Sequence, residues 1–243
     1  GTNLKMYVFA GTTVYDITPI RATYTTGTSP STNNCFATTD ESTTVVVNLT
    51  GHNGLDGDFV TFSGAVDVGG IPAADLNKEF QITFINANSF SITVTTAATS
   101  TVAAGGGTSI VAAFQWNTGF STATLGYGWG TGAWSRSTWG SGSTIPIYLN
   151  PRLIYQDKFN NDLIFNVSGA DIYYWVYNNA FSNRAVKLSS IAGAIAVPKQ
   201  VTFTLFAPSG HLFAMGCTNY DAAASAPDYE GVYDPLLVRW ANV

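Results

Sequence analysis

The feature that most constrains this chain is a series of short strand-like runs, separated by Gly, Pro, Asn and Ser turns and without amphipathic helices between them. The clearest example lies at residues 80–85 and 89–94, on either side of a short connection at 86–88. Alternating apolar residues around such a connection predict a β-hairpin whose Phe, Ile and Val side chains share one face. The chain is therefore expected to be all-β.

The residues around this hairpin predict a small β-module. Runs at 43–49, 59–62 and 109–114 add to the hairpin, which gives about five strands, a number suited to a compact sandwich or a partly open barrel. An opening hairpin is expected at 4–10 and 13–17. The polar stretch 21–42 is expected to be a loop or an edge segment, and the small residues 97–107 a soft linker.

From residue 145 onward the pattern is that of a β-meander. Short strands without intervening helices are typical of a propeller-like or sandwich architecture. Ser168 and Gly169 form the expected tight turn between two of the runs. The predicted strands are 145–149, 162–167, 171–176, 184–188, 201–206, 211–216 and 236–240.

The charge content is low. Charged residues make up 10% of the chain, against about a quarter in an ordinary soluble protein, while 46% of residues are hydrophobic and 14% aromatic. Two compatible explanations remain open, a surface rich in Thr, Ser, Asn and Gly, or a surface largely covered by neighbouring subunits. The net charge of -5 argues against nucleic-acid binding as the main role, because phosphate contacts need clustered Lys and Arg.

No apolar run of membrane length and no charged-then-apolar leader occurs in the sequence, so we expect a soluble or assembled protein without a membrane span. The chain begins at Gly1 without an initiating methionine and ends just after a strand-like run. We therefore expect a piece of a longer polypeptide.

The two cysteines, Cys35 and Cys217, stand far apart in sequence and either form a bridge or remain as two free, partly buried thiols. They form no Cys-x-x-Cys metal pair. Asn48 and Asn166 each begin an Asn-x-Ser/Thr glycosylation pattern, which arises readily by chance in a chain rich in Thr and Ser.

No residue pattern indicates catalysis or a cofactor. Neither His52 nor His211 has a further ligand at helical spacing, which argues against an ordinary zinc site. Asp56 and Asp58 could supply oxygen ligands to calcium, but aspartates in such a segment usually form turns. The nucleophile-elbow, P-loop and dinucleotide-binding motifs are absent from the sequence. We expect a protein that is not an enzyme.

The segment 126–142 combines glycines with tryptophans that recur every five residues, a spacing that fits neither a strand nor a helix. Glycines leave the backbone adaptable, and indoles supply large apolar contacts. We expect an extended loop held at its aromatic residues. The candidate residues for a subunit interface or for glycan contact are Tyr127, Trp129, Trp134 and Trp139.

Several of these segments, in collinear order, resemble structural proteins of bacteriophage tails. The resemblance extends over most of the chain, and its closest form is to the tail nozzle, or tail tubular protein B, of short-tailed phages. Each motif is short, and the series is more specific than any one of them. The segments are 14–21, 52–62, 76–94, the Gly-Trp-Gly repeats, 162–175 and 234–240.

The resemblance implies a β-propeller-like meander body with an inserted immunoglobulin-like β-sandwich module. Residues 1–42 and 145–243 would form the body, 43–116 the module and 117–144 the Gly/Trp-rich loop. It further implies a virion protein in a homo-oligomeric ring that contacts adaptor, fibre or tip proteins, with DNA passing through the channel. The alternative is a carbohydrate- or receptor-binding β-module of a virion or a secreted protein.

Overall fold

The computed structural model of the chain describes residues 5–29, 31–116, 153–177, 181–208 and 210–242. Within these ranges the chain contains β-strands, one single-turn α-helix, α1 (Ala73–Leu76), and one 3₁₀ turn (Leu188–Ser190). The expectation of an all-β chain is confirmed.

The strands follow one another along the chain with short connections. The first eleven are β1 (Tyr7–Ala10), β2 (Thr13–Asp16), β3 (Ile20–Tyr24), β4 (Phe36–Thr38), β5 (Thr44–Asn48), β6 (Phe59–Ser63), β7 (Glu79–Gln81), β8 (Thr83–Asn86), β9 (Ser89–Thr93), β10 (Val102–Gly105) and β11 (Val111–Gln115). The others are β12 (Ile154–Phe159), β13 (Asp162–Val167), β14 (Ile172–Trp175), β15 (Val186–Lys187), β16 (Val201–Ala207), β17 (His211–Tyr220) and β18 (Glu230–Asn242).

These strands form five antiparallel sheets. Sheet I is the hairpin β1-β2, sheet II has the order β10-β4-β5-β9-β8, and sheet III has the order β3-β11-β6-β7. Sheet IV has the order β12-β13-β14-β15, and sheet V has the order β16-β17-β18. Among the described residues none of these sheets closes on itself, and the propeller-like description of the body stays a prediction.

The chain divides into two compact units. The first combines residues 1–20 with residues 152–243, and the second comprises residues 21–151. The domain boundaries expected after residues 42, 116 and 144 stay predictions. The predicted strand at 145–149 lies outside the described residues.

In the second unit, sheets II and III supply one hydrophobic core. Phe62 of sheet III lies 5.1 Å, ring to ring, from Phe36 of sheet II in an edge-to-face contact, a geometry that aromatic pairs prefer. Alternate residues of β5 and β6 are buried, as expected when one face of each strand packs on a core. The immunoglobulin-like description of this module stays a prediction.

The run 80–85 differs from the expected hairpin. Strands β8 and β9 do pair in antiparallel fashion around residues 86–88, but the chain leaves sheet III after β7 and enters sheet II at β8. Ile82, at the crossing, is buried, whereas Phe84 and Ile85 are 43% and 48% exposed. Phe84 pairs directly with the buried Phe90 and so shares its face, whereas Ile85 lies at a register shift beside it. The expectation that all apolar residues share one face was therefore wrong at Ile85, because adjacent residues of a strand point to opposite faces.

Two stretches that were not predicted as strands contain them. The stretch 21–42, expected to be a loop or an edge segment, contains most of β3, which is an edge strand of sheet III, and also β4. Strand β10 lies within the stretch expected to be a linker. Strand β4 has only three residues, and β10 consists of Val, Ala and Gly, of which Ala and Gly are poor strand formers. Pairing with neighbouring strands, rather than local propensity, makes these segments extended.

In the first unit, sheets IV and V share a second core. The core residues of sheet IV include Ile164 and Ile172, and Phe159 of β12 packs against Phe206 of β16 with ring centroids 4.8 Å apart. The buried residues from sheet V are Val201, Leu212, Ala214 and Cys217. Strand β12, which the sequence did not predict, pairs along its whole length with β13.

The amide of Asn166 joins the two sheets of this core. Its nitrogen donates to the carbonyl of Val201 at 3.0 Å, and its oxygen accepts hydrogen bonds from the backbone nitrogen and the hydroxyl of Thr204 at 3.1 and 3.0 Å. Asn166 is fully buried, so its amide is not accessible for glycosylation in the folded chain.

Candidate interaction surface

The residues predicted for a subunit interface or for glycan contact, Tyr127, Trp129, Trp134 and Trp139, lie outside the described residues. Their roles stay predictions. The candidate surface within the described part of the chain is therefore made of other residues.

His52 is a buried residue of the second unit's core. One ring nitrogen, Nε2, lies 2.9 Å from the carbonyl oxygen of Asn86, and the other, Nδ1, accepts the backbone N–H of Gly54 at 2.9 Å. These contacts fix the tautomer, because Nδ1 is the acceptor and Nε2 must then carry the proton. With Phe90 only 5.0 Å away, ring to ring, His52 has a structural role.

Asp58 is also buried, and it serves a turn and an ion pair. Its carboxylate accepts the backbone N–H of Leu55 at 2.9 Å and lies 3.7 Å from the guanidinium of Arg21. The same guanidinium lies over the ring of Phe114 at 5.0 Å, a cation–π arrangement. These contacts support the turn interpretation of Asp58.

Asp56, two residues earlier, caps the edge of sheet II. Its carboxylate accepts the backbone N–H of Phe84 at 2.9 Å, and Phe84 belongs to β8, the last strand of that sheet. An edge strand presents unpaired backbone groups to other chains, and Asp56 occupies one of them. Within the described residues, no group of three or more His, Cys, Asp and Glu side chains could hold a metal ion.

Both cysteines are free thiols and both are buried. Burial raises the pKa of Cys35 to about 12 and also raises that of Cys217. A thiol with a raised pKa is a poor nucleophile, because the thiolate is the reactive form. The bridged alternative for the two cysteines is not realised in this structure.

Sheet V has apolar side chains on both faces. Its inner face packs on the core through Leu212 and Ala214. Directly paired residues of antiparallel strands share a face. Across the three strands, Phe203 pairs with Met215, which pairs with Val238. In the same way, Leu205 pairs with Phe213, which pairs with Trp240. This second face, here called the outer face of sheet V, continues from the buried Val201 and carries six further apolar residues, namely Phe203, Leu205, Phe213, Met215, Val238 and Trp240.

The exposure of this outer face increases toward β18. Phe203, which contacts the ring of Tyr155 at 5.5 Å, is half-buried, whereas Val238 is 43% exposed and Trp240 is 67% exposed. Leu236, just before them, is 89% exposed. A contiguous patch of large, exposed apolar side chains marks an interaction site or an aggregation hazard in a soluble protein.

The two edges of sheet V differ. At the β16 edge, the carboxylate of Asp157 from β12 accepts the backbone N–H of Phe206 at 2.7 Å. At the β18 edge, no further strand pairs among the described residues. The first part of β18 is nevertheless unsuited to pairing, because Pro235 has no N–H and the N–H of Leu236 is bonded to the carboxylate of Asp234 at 2.9 Å. The open part of this edge is residues 237–242.

Charge is unevenly distributed beside this edge. Glu230 and Asp234, in the first part of β18, are exposed, and Lys199 lies 3.5 Å from Glu230 and 2.6 Å from Asp228. The hydrogen bond to Asp228, together with the acidic charges around it, raises the pKa of Lys199. Arg239 donates to the carbonyl of Thr218 at 2.9 Å. The surface thus has an acidic beginning and an apolar end.

The sequence contains a signal for this surface. The run 236–240 was predicted as a strand, and its residues Leu236, Leu237 and Val238 are consecutive apolar residues. A strand with one solvated face alternates apolar and polar residues, so consecutive apolar residues indicate a strand that buries both faces. The length of β18, which begins at Glu230, was not predictable from this run.

Smaller exposed apolar pairs occur elsewhere. Phe9 and Val14 are directly paired across sheet I and are 73% and 50% exposed. Among the described residues, no helix is long and apolar enough to cross a membrane.

Comparison with known proteins gives little. No protein-family model and no curated protein matches this sequence. Among solved structures, the chain is similar to the phage phi92 endosialidase, with 14% identity, a TM-score of 0.29, and coverage of 77% of this chain and 34% of that chain. The chain thus spans about a third of the length of that protein. A TM-score of 0.29 does not indicate a shared fold.

Proposed function

We infer that this chain is a structural component of a bacteriophage tail, which acts through contacts with neighbouring subunits and forms a segment of a ring-like nozzle or channel. Its place is then the virion, its neighbours are copies of itself and adaptor, fibre or tip proteins, and DNA passes through the channel. The role involves no catalysis. The first unit corresponds to the propeller-like body, and the immunoglobulin-like module lies within the second.

The observation that carries this proposal is the outer face of sheet V. A sheet that is apolar on both faces needs a layer on each, and Trp240 and Val238 remain exposed on the second one. Subunit interfaces are enriched in aromatic residues and Met and are depleted of Lys, Glu and Asp at their centres. The six residues of this face have that composition, and the collinear tail-protein motifs in the sequence support the same role.

The proposal is tested by the mass of the assembled protein. We expect mass photometry and electron microscopy of the full-length protein to give closed rings, because heterologous contacts between identical subunits close by rotation. Replacing Val238 and Trp240 together with threonine is expected to shift the population toward monomers. Phe9→Thr is the matched control, since Phe9 is an equally exposed strand residue on sheet I.

A monodisperse monomer of the full-length protein at high concentration would overturn the proposal. Glycan binding that is lost on Trp134→Ala, without assembly, would instead support the carbohydrate- or receptor-binding alternative.

A further inference from the structure

We propose that residues 237–242 accept an extended strand from a different protein, one that carries apolar side chains at one end and Lys or Arg at the other. This inference rests on the proposed function: copies of the chain contact the outer face of sheet V, and the different protein adds its strand at the edge of that sheet. Strand addition at an exposed sheet edge is a common mode of recognition, in which the backbone gives affinity and the side chains give specificity.

The backbone of this edge supports strand addition. In antiparallel pairing, alternate residues of an edge strand direct both the N–H and the C=O away from the sheet. Residues 237–242 pair with β17 on one side, as Val238 does with Met215 and Trp240 with Phe213, and have no strand on the other side among the described residues. Six residues extend over roughly 20 Å, the usual length of a strand.

The side chains define what the incoming strand presents. Its residues on the outer face would lie beside Val238 and Trp240, so apolar or β-branched residues fit there. Pro235 and the bonded N–H of Leu236 stop backbone pairing before residue 237. The end of the incoming strand then reaches the exposed carboxylate of Asp234 through side-chain contacts, and Lys or Arg at that end would complement its charge.

The charges of this chain favour a different protein over a second copy. Eight Lys and Arg residues are described, and six of them are already in ion pairs within the chain, namely Lys5, Arg21, Lys78, Arg184, Lys187 and Lys199. Arg239 donates to backbone carbonyls. Lys158 is the one described Lys or Arg with neither kind of contact, so no described segment of a second copy presents two unpaired basic residues.

Antiparallel addition continues the pattern of a sheet in which every described pair is antiparallel. The incoming strand would then begin beside residue 242, run past Trp240 and Val238, and end near Asp234. A suitable probe is the acetylated and amidated peptide Thr-Val-Thr-Val-Thr-Lys-Thr-Lys. Its reference is the same peptide with both lysines replaced by glutamate.

Binding is measured on the full chain by calorimetry and by amide hydrogen exchange. We expect the lysine peptide to slow exchange at residues 237–242 and to leave Tyr7–Ala10 unchanged. The glutamate peptide should bind about three- to tenfold more weakly, as exposed ion pairs contribute modestly. Trp240→Thr should weaken binding about tenfold or more, as loss of an aromatic anchor does, whereas Phe9→Thr should leave it within about twofold.

Equal binding of the two peptides, or protection at another strand, would overturn the inference. So would self-association of the chain that protects 237–242 and excludes the peptide, because the occupant would then be a second copy. Peptide binding by a chain that forms no assembly would leave the inference standing and contradict the proposed function. Ring assembly by a chain that does not bind the peptide would support the proposed function and contradict this inference.

Discussion

At the scale of single residues, this chain uses a small number of buried polar side chains to fix the contacts between its strands. Asn166 and His52 are both fully buried, and each forms hydrogen bonds to backbone groups that are not its strand neighbours. An unsatisfied buried polar group costs more than a satisfied one contributes, so such residues specify one arrangement of the sheets.

Replacing Asn166 with alanine is expected to destabilise the first unit by about 2–4 kcal/mol, because the change leaves the buried N–H of Thr204 without its acceptor and removes the hydrogen bond to the carbonyl of Val201. Asn166→Asp is expected to be destabilising as well, since a carboxylate cannot donate to a carbonyl. Urea unfolding measures both. Asn48→Ala is the control, because Asn48 is exposed on a strand, and an effect there equal to that at Asn166 would contradict the assigned role.

The lowered pKa of Asp16 predicts how the stability of the first unit depends on pH. Burial alone would raise its pKa, but the hydrogen bonds from Thr18 and the charges of Arg184 and Lys5 outweigh burial, and the pKa lies below its ordinary value of 3.8. A carboxyl with a lowered folded-state pKa stabilises the fold above the unfolded-state value, and this contribution is lost as the pH falls through the folded-state pKa.

Asp16→Asn is therefore expected to be less stable than the native chain by about 1–2 kcal/mol at pH 7, and the difference should shrink as the pH falls below 3.8. Urea unfolding at pH 7, 4 and 2.5 measures this. Asp40→Asn, at an exposed residue in no ion pair among the described residues, should change stability by less than about 0.5 kcal/mol at each pH. A difference for Asp16→Asn that does not vary with pH would contradict the assignment.

At the scale of the strands, what distinguishes the edges is how each is protected. On the edge strand β8, the carboxylate of Asp56 accepts a backbone N–H, and on the edge strand β16 the carboxylate of Asp157 does the same. The edge of β18 is interrupted near Pro235, and beyond that point no other strand of the described part of the chain pairs with it. Natural sheets usually protect their edges in these ways, so an edge left open beside exposed apolar side chains is a place for a partner.

Asp56→Ala is expected to change the stability of the second unit by only about 1 kcal/mol and to increase aggregation, because it frees the N–H of Phe84 on an edge where Phe84 and Ile85 are exposed. Light scattering at constant concentration and urea unfolding measure the two effects. Asp56→Asn is the matched control, since the amide keeps an acceptor oxygen. Equal aggregation of the alanine and asparagine variants would contradict the proposal that the side chain of Asp56 protects this edge by accepting the N–H of Phe84.

At the scale of the whole molecule, the chain has two units, each with its own hydrophobic core. Chains with more than one core commonly depart from two-state unfolding. The charge of the chain also matters at this scale, because most of its described cations are already paired internally, which leaves exposed carboxylates such as Asp234 for an external basic partner.

Calorimetry is expected to show two thermal transitions. Asn166→Ala should lower the temperature of one transition, and Phe62→Leu, which alters the other core, should lower the temperature of the other. The expected shifts are several degrees, since about 1 kcal/mol corresponds to roughly 4 °C for units of this size, between the values for smaller and larger domains. A single transition that both variants lower together would contradict the assignment of two independent cores.

The sequence was sufficient to predict the positions of the regular strands, but it was insufficient to predict which strands pair with one another. Strand β13 has the predicted bounds, and β5 and β6 differ by a residue at their ends, because β-branched and aromatic residues in alternation are a local signal. Strand β4 was missed because it has only three residues, and β10 because it consists mostly of Ala and Gly, which are poor strand formers. Asp58 was correctly expected to act in a turn, whereas the carboxylate of Asp56 caps Phe84, a residue 28 positions away.

What the sequence by itself determined is the all-β class, most of the strand positions and the low charge, since these follow from local side-chain shape and composition. The tertiary structure decided where the run 80–85 crosses from one sheet to the other, that both cysteines are free and buried, and that the outer face of sheet V is apolar. The reason is that side-chain alternation fixes which residues share a face of one strand, whereas burial of that face depends on pairings between residues distant in the chain.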